Sequence, residues 1–221
     1  MEAQIEKLAD RLLDGDEGEA TSMIQHALQA MGKIDVFEQL ITPSMYLVGK
    51  RWERNEISVA DEHLATATVD FILTAIEQVD RKESSLTNRK VLLCGVEDEQ
   101  HYIGLKMVGS LFRDRGWNVR NLGPNLPLNH LQSSAAIWKP DVIVLSIALL
   151  YRLPVLHEYV RSLLTLNHRP SILIGGRVAY EYQLSATELD QVEVIGSLRQ
   201  LDGWLDNGKV GKAHARTNDQ P

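Results

Sequence analysis

The chain has 221 residues and a formal net charge of −7, from 30 acidic and 23 basic side chains. Hydrophobic residues make up 44% of the sequence, as is typical of a globular protein with a buried core. The acidic balance argues against a broad nucleic-acid-binding surface, which requires clustered basic charge. The single cysteine excludes an internal disulfide and a zinc site with several cysteines. Because we recognise no signal peptide and no membrane-spanning apolar run, we expect a cytoplasmic protein.

Helical periodicity dominates residues 1–84, which we predict to form an antiparallel four-helix bundle. Pro43 is expected to bend or divide the third helix. Ser58 and Asp61 resemble a capping box, which would begin the fourth helix. The apolar positions of that helix are Leu64, Ala67, Phe71, Ile72, Ala75 and Ile76.

A polar linker at residues 81–89 separates this half from a second one in which apolar runs of strand length alternate with amphipathic segments. Residues 85–206 are therefore predicted to form a doubly wound α/β domain with a five-stranded parallel sheet, of Rossmann or flavodoxin type. Residues 207–221 are predicted to be a disordered tail. The predicted strands are Val91–Gly95, Asn118–Leu122, Asp141–Ser146, Ser171–Ile174 and Val192–Ile195, and the predicted helical segments are 101–115, 127–138, 154–168, 179–189 and 197–205.

Three short motifs fall where predicted strands end, the edge at which open parallel sheets bind ligands. An imidazole can ligate a metal, and a carboxylate two residues earlier can accept its other ring N–H. Glycines allow a bulky group to approach the backbone closely. In chain order the motifs are Glu99-x-His101-x-x-Gly104, Ser146-x-Ala148 and Gly175-Gly176. The alternative is that the histidine is a surface residue that opens a helix and that the glycines form an ordinary turn.

The order of these motifs, with 41 and 26 residues between them, resembles the signature of cobalamin-binding domains. The resemblance implies that His101 is the lower cobalt ligand and that Glu99 binds its ring. Glu99 stands where the family has Asp, and Ala148, beside Leu149, where it has Leu. For the nucleotide tail of the cofactor, the resemblance implies room beside Gly104, a hydrogen bond from Ser146 and flanking positions for Leu149, Gly175 and Gly176.

The helical half carries a second signature, in which nine residues separate Trp52 from Glu62-His63. It resembles the Trp-x9-Glu-His motif of the cobalamin-dependent photoreceptors that repress carotenoid genes. The resemblance implies that the bundle caps the upper face of the corrin and that these three side chains line a pocket for the adenosyl group. The alternative is that Trp52 is a core aromatic and that Glu62 interacts with a helix dipole.

Two features depart from those photoreceptors. Their winged helix-turn-helix DNA-binding domain has no counterpart before the bundle, so we expect no direct contact with nucleic acid. Glu53 follows Trp52 where the photoreceptors have a histidine that captures cobalt after illumination.

The resemblance therefore implies a regulatory cobalamin-binding protein rather than an enzyme. Its cofactor would be adenosylcobalamin, its signal light, and its partner a transcriptional regulator or signalling protein, without membrane contact. Self-association into a homo-oligomer stays open. The alternative is a corrinoid methyl-carrier subunit of a methyltransferase system, with methylcobalamin as the cofactor. A subunit of an adenosylcobalamin mutase ranks third.

Overall fold

The computed structural model of the chain describes residues 1–79, 87–178 and 192–207. The chain divides into two compact units, Met1–Arg81 and Lys82–Pro221. Most of the predicted linker, the predicted helix at 179–189 and residues 208–221 of the predicted tail lie outside the described residues.

The first unit is helical, as its periodicity predicts. Gly15, with φ of +67°, ends the first helix, and the Asp16 side chain caps the second by accepting the Glu19 N–H. The first helix contacts the second, the fourth and the fifth, which gives the predicted bundle. The elements are α1 (Glu2–Leu13), α2 (Glu17–Ala30), α3 (Lys33–Val36), a π-helical turn (Phe37–Ile41), α4 (Thr42–Glu53) and α5 (Val59–Val79).

Pro43 does not divide the helix that contains it, because α3, the π-helical turn and α4 follow one another without a gap. A proline has no N–H to donate, and its ring collides with the carbonyl four residues earlier in a regular α-helix. The π-helical turn ends directly before α4, where the Thr42 N–H donates to the Phe37 carbonyl. The wider turn accommodates the proline within a continuous helical backbone.

Helix α5 is apolar on more than the face that it buries. Ile72 and Ile76 are buried as predicted, whereas Leu64, Ala67 and Phe71 are exposed. The reason is geometric, since α1, α2 and α4 all pack against α5 and cover only one side of it. None of the helices in the described ranges combines the length and the apolar character needed to cross a bilayer.

The elements of the second unit are β1 (Lys90–Gly95), α6 (Ile103–Asp114), β2 (Asn118–Asn121), α7 (Leu128–Trp138), β3 (Val142–Ser146), a 3-10 turn (Leu150–Arg152), α8 (Leu153–Leu163), β4 (Ser171–Gly175), β5 (Val192–Val194) and α9 (Leu198–Asp206). The strands form the predicted parallel sheet in the order β2-β1-β3-β4-β5, with every neighbouring pair parallel. Each observed strand begins and ends within one residue of its predicted bounds. Strands β1 and β3 are buried almost throughout, as expected of strands covered on both faces.

The strand register aligns the ends of the three central strands. Gly95 pairs with Ser146, and Ser146 pairs with Gly175. The strand order changes direction between β1 and β3, so the loops that follow these two strands leave the sheet at its switch point. The sheet therefore brings the histidine motif and the serine motif to one edge.

Gly176 gives a test of how closely two backbones pack at this edge. Its φ is +105°, and a Cβ atom there would lie 2.3 Å from the Ile147 carbonyl oxygen. We expect Gly176→Ala to destabilise the fold by roughly 3 kcal/mol or more, from backbone strain and overpacking together. Urea denaturation measures the change in the free energy of unfolding.

Gly123→Ala is the matched control. Gly123 also has a positive φ, +79°, but apart from its chain neighbours no residue lies within 4 Å of the Cβ position. The control should lose only the strain contribution, about 1–2 kcal/mol. Equal losses in the two variants would show that the Ile147 carbonyl does not determine the requirement for glycine.

Candidate functional site

The loop between β1 and α6 is held by the loop that follows β2. The Asp98 N–H donates to the Asn125 side chain over 2.7 Å, and the Asn125 N–H donates to the Glu99 carbonyl over 2.9 Å. Asp98 and Asn125 both have left-handed backbones, with φ of 63° and 51°. Asx side chains tolerate this conformation best among non-glycine residues. The loop is thus a defined structure that presents residues 99–101.

The Glu99 carboxylate is buried and accepts three N–H groups. One oxygen, Oε1, accepts the His101 backbone N–H over 2.9 Å and lies 2.6 Å from the His101 ring nitrogen Nδ1. The other oxygen, Oε2, accepts the Ala148 backbone N–H over 2.6 Å. A buried carboxylate is stable only with such partners. Glu99 therefore ties the loop after β1 to the loop after β3.

Two effects on the pKa of Glu99 oppose each other. Burial raises the pKa of this carboxyl, while the hydrogen bonds from the His101 ring and from the Ala148 and His101 amides lower it. The net result is a pKa below the ordinary value, so the group is a carboxylate at neutral pH. A carboxylate in this position can only accept, which places the shared proton on His101 Nδ1.

The His101 side chain is 60% exposed although its partner is fully buried. Because Nδ1 is used by Glu99, the neutral ring has its lone pair on Nε2. This is the arrangement found at many metal-binding histidines, in which a carboxylate fixes the tautomer and increases the basicity of the ligating nitrogen. The structure thus brings Glu99 and His101 together as the sequence predicts and presents one nitrogen as a potential ligand.

The other predicted site residues of the sheet unit lie at or after the ends of β3 and β4 and at the start of α6. Ser146 is nearly buried at the end of β3, and Leu149 is half-buried three residues later. Gly104 lies in the first turn of α6, where a Cβ atom would meet open space. Gly175 pairs with Ser146, and the Ile147 N–H donates to the Gly175 carbonyl over 3.0 Å. Gly176 packs against the Ile147 backbone.

The residues predicted in the helical unit lie at one end of the bundle. Trp52 is in the last turn of α4 and is 48% exposed, so it is not a core aromatic. Glu62 and His63 are in the first turn of α5, with 3.7 Å between Glu62 Oε2 and His63 Nε2. Glu62 also accepts the Thr66 hydroxyl over 2.9 Å.

The connection between α4 and α5 explains why these residues share an end. Asn55 has a left-handed backbone with φ of 57°, which ends α4. The predicted capping box is present, with the Asp61 carboxylate accepting the Ser58 N–H over 2.8 Å and the Ser58 hydroxyl accepting the Asp61 N–H over 3.3 Å. The hydrogen bonds from the Ser58 hydroxyl and N–H lower the pKa of Asp61.

Comparison with known proteins follows the same division into two parts. A family model described as a B12 binding domain matches residues 4–77, and a second model with the same description matches residues 89–198. Together the matches span well over half of the chain. The chain belongs to the B12-binding family. The Glu99–His101 pair lies within the second matched region.

Two relatives within this group differ in how much of their length the chain covers. The HTH-type transcriptional repressor CarH of Myxococcus xanthus is 28% identical over 131 residues, which are 59% of this chain and 43% of the repressor. A corrinoid protein of Desulfitobacterium hafniense is 24% identical over 208 residues, which are 91% of each chain. The B12-binding chain thus spans less than half of the repressor and nearly all of the corrinoid protein.

A solved structure confirms the fold of this family member. The monomethylamine corrinoid protein of Methanosarcina barkeri matches with a TM-score of 0.70 and 17% sequence identity, covering 94% of this chain and 99% of that protein. At this level of identity the likeness shows the shared fold.

Tyr159 lies in the sheet unit, and its role was not predicted from the sequence. Its hydroxyl donates to the Leu126 carbonyl over 2.6 Å and accepts the Glu97 N–H over 3.1 Å. It therefore joins the loops that follow β1 and β2, and burial raises its pKa to about 12. No local pattern marks this role, because its partners are backbone groups 33 and 62 residues away.

Glu99→Gln tests the carboxylate bridge. The variant keeps the size of the side chain and loses the charge-assisted hydrogen bonds, so we expect the free energy of unfolding to fall by roughly 1–3 kcal/mol at pH 7. A carboxyl with a lowered pKa stabilises the fold above its unfolded pKa, near 4.5, and this contribution is lost as the pH falls through the folded value. The difference from the wild type should therefore narrow below about pH 4.5 in urea denaturation.

Glu97→Gln is the control, because that side chain lies on the same loop and is exposed. The substitution should change stability by less than about 0.5 kcal/mol at either pH. A difference between wild type and Glu99→Gln that stays constant from pH 7 to pH 3 would contradict an ionised bridge.

Proposed function

We propose that the chain is a corrinoid carrier protein that binds cobalamin with His101 as the lower cobalt ligand and serves a methyltransferase system. Cobalamin binding is supported by the Glu99–His101 pair, in which a buried carboxylate holds Nδ1 over 2.6 Å and the ring itself is 60% exposed. The carrier role is supported by the alignment with a corrinoid protein over 91% of both chains. When bound, the cobalt would supply the centre that accepts a methyl group from one protein partner and gives it to another.

The residues at this edge of the sheet fit a metal whose cofactor supplies most of the ligands. Among the described residues, no group of three or more His, Cys, Asp or Glu side chains is placed to hold a metal ion. A corrin needs only one ligand for its cobalt from the protein, and a neutral imidazole held by a carboxylate would be suited to that role. His101 would donate its Nε2 lone pair, while Glu99 keeps the proton on Nδ1 and fixes the plane of the ring.

We assign the nucleotide tail of the cofactor to the ends of β3 and β4. Ser146 would hydrogen-bond the displaced base, with Leu149 beside it, and Gly104 leaves open space at the start of α6. Gly175 and Gly176 would flank the tail. Support comes from the register, which places Ser146 and Gly175 side by side.

The carrier function is preferred over the light sensor expected from the sequence because of the extent of the matches. The corrinoid protein of Desulfitobacterium hafniense aligns over 91% of both chains, whereas the alignment with the CarH repressor covers 43% of that protein. A carrier leaves the catalysis of methyl transfer to its protein partners, and methylcobalamin is then the working form of the cofactor.

One observation favours the sensor as a second candidate function. Trp52 is 48% exposed at the end of the bundle that also carries Glu62 and His63. An exposed indole offers stacking area for adenine, and the two polar side chains offer hydrogen-bonding capacity for a ribose. A sensor would use adenosylcobalamin, and its partner would be a regulator rather than a methyltransferase.

His101→Ala tests the lower ligand. We expect the wild type with bound cob(II)alamin to show nitrogen coupling from histidine in electron paramagnetic resonance, and the variant to lose it, because the ligating nitrogen is gone. The fold should persist, since the ring is exposed. His130→Ala, at an exposed position on α7, should keep the wild-type spectrum. If His101→Ala keeps the histidine coupling, the ligand assignment is wrong.

Trp52→Ala separates the two functions. If the bundle end binds an adenosyl group, the substitution should weaken adenosylcobalamin binding by about tenfold and leave methylcobalamin binding nearly unchanged, because only the larger upper ligand reaches the indole. The carrier proposal predicts a similar affinity of the wild type for both cofactors and no selective loss in the variant. Isothermal titration in darkness measures both affinities.

A further inference from the structure

Two consecutive large apolar side chains are exposed in the short turn that follows β3. Leu150 is 42% exposed and Tyr151 is 68% exposed, and both lie in the 3-10 turn before α8. In the described part of the sheet unit, the only other large apolar side chain this exposed is Ile137 on α7. Isolated exposed apolar residues need no explanation, but adjacent ones at a ligand-binding edge indicate a contact surface.

The turn is fixed to the loop that carries His101. Arg152, the last residue of the turn, forms an ion pair with Asp98 over 2.9 Å. Asp98 lies three residues before His101 and is itself anchored by Asn125. The turn therefore cannot move away from the histidine loop without breaking this contact.

The same arginine supports the tyrosine ring. The Arg152 guanidinium carbon lies 5.0 Å from the centre of the Tyr151 ring, within the range of a cation–π contact. The Arg152 side chain is only 24% exposed, so the ring rests on a cation that is largely enclosed. Tyr151 is thus an exposed aromatic ring that is supported by the Arg152 side chain.

The backbone links this turn to the Glu99 bridge as well. The Ala148 N–H, which donates to Glu99, lies two residues before Leu150, and the Arg152 N–H donates to the Leu149 carbonyl over 3.0 Å. The segment 148–152 is therefore joined to the histidine loop at both ends, by the Ala148–Glu99 hydrogen bond and by the Arg152–Asp98 ion pair.

We propose that Leu150 and Tyr151 form an apolar shelf that packs against the macrocycle of the cofactor beside the His101 ligand. The inference rests on the proposed function and deepens it by naming residues outside the recognised motifs. A corrin is a broad ring with a largely apolar surface, and a site that offers it only one imidazole leaves that surface in water. An ordered aromatic and a leucine on the same rim remove part of it from water.

The experiment measures the affinity of the full chain for methylcobalamin by isothermal titration, together with the absorption spectrum of the complex. Tyr151→Ala should weaken binding by about tenfold, as expected for the loss of one well-packed aromatic contact, and Leu150→Ala by less. Tyr151→Phe should bind nearly as well as the wild type, because it keeps the ring. Ile137→Ala is the matched control, an 83% exposed apolar residue on α7, and should not change the affinity.

Asp98→Asn tests the support of the shelf separately. The substitution removes the charge that holds Arg152, so it should weaken cobalamin binding by a smaller factor than Tyr151→Ala. All variants should keep the histidine-ligated spectrum once saturated, since His101 and Glu99 are unchanged. Circular dichroism confirms that each variant is folded.

Several outcomes would overturn the shelf. If Tyr151→Ala binds as tightly as the wild type while the complex shows histidine ligation, the shelf is wrong and the proposed function stands. An equal loss of affinity in Ile137→Ala would also exclude the shelf. If Tyr151→Ala keeps its affinity but no longer exchanges methyl groups with a methyltransferase, the turn is a partner surface. If the wild type binds no cobalamin, the proposed function and the shelf fail together.

Discussion

The Glu99 carboxylate sets the geometry of the candidate site. Burying this charge is unfavourable unless its oxygens accept hydrogen bonds, and the three donors come from two different loops. The loop after β1 and the loop after β3 must therefore both be folded for the carboxylate to be stable. The orientation of the His101 ring is in this way tied to the same structure that places Ser146 and Ala148. Because the carboxylate remains ionised at neutral pH, the histidine tautomer follows from the fold.

The sheet supplies the rigidity that such a site needs. The register aligns Gly95, Ser146 and Gly175 across three neighbouring strands, and the Ile147 backbone packs against Gly176 too closely for any side chain. Tyr159 and Asn125 also hold the histidine loop, because their side-chain oxygens accept the N–H groups of Glu97 and Asp98. A side chain on a loop that is braced in this way keeps its orientation better than a side chain on an unbraced loop.

The helical unit is the part of the chain that distinguishes the two candidate functions, the methyl carrier and the sensor. Both candidate functions use His101 as the proposed cobalt ligand and differ in the form of the cofactor that they need. The bundle leaves Trp52 exposed, and it also exposes Leu64 and Phe71 of α5, which belong to the apolar pattern of that helix. Exposed apolar groups of this kind are expected where a ligand or another protein surface binds. The B12-binding family match covers this unit as well as the sheet unit.

The sequence by itself determined the two-part architecture, the strand bounds, the capping box at Ser58 and the pairing of Glu99 with His101. These features depend on local patterns, namely apolar periodicity, turn residues and a carboxylate two residues from a histidine. Only the tertiary structure decided that Leu64 and Phe71 are exposed, since this depends on which neighbours pack against the helix. Only the observed backbone showed that a π-helical turn accommodates Pro43. The tertiary structure also decided the second half of the Glu99 bridge, the role of Tyr159 and the support of Tyr151 by Arg152. Those contacts join residues far apart in the chain, and a single sequence carries no signal for such pairs.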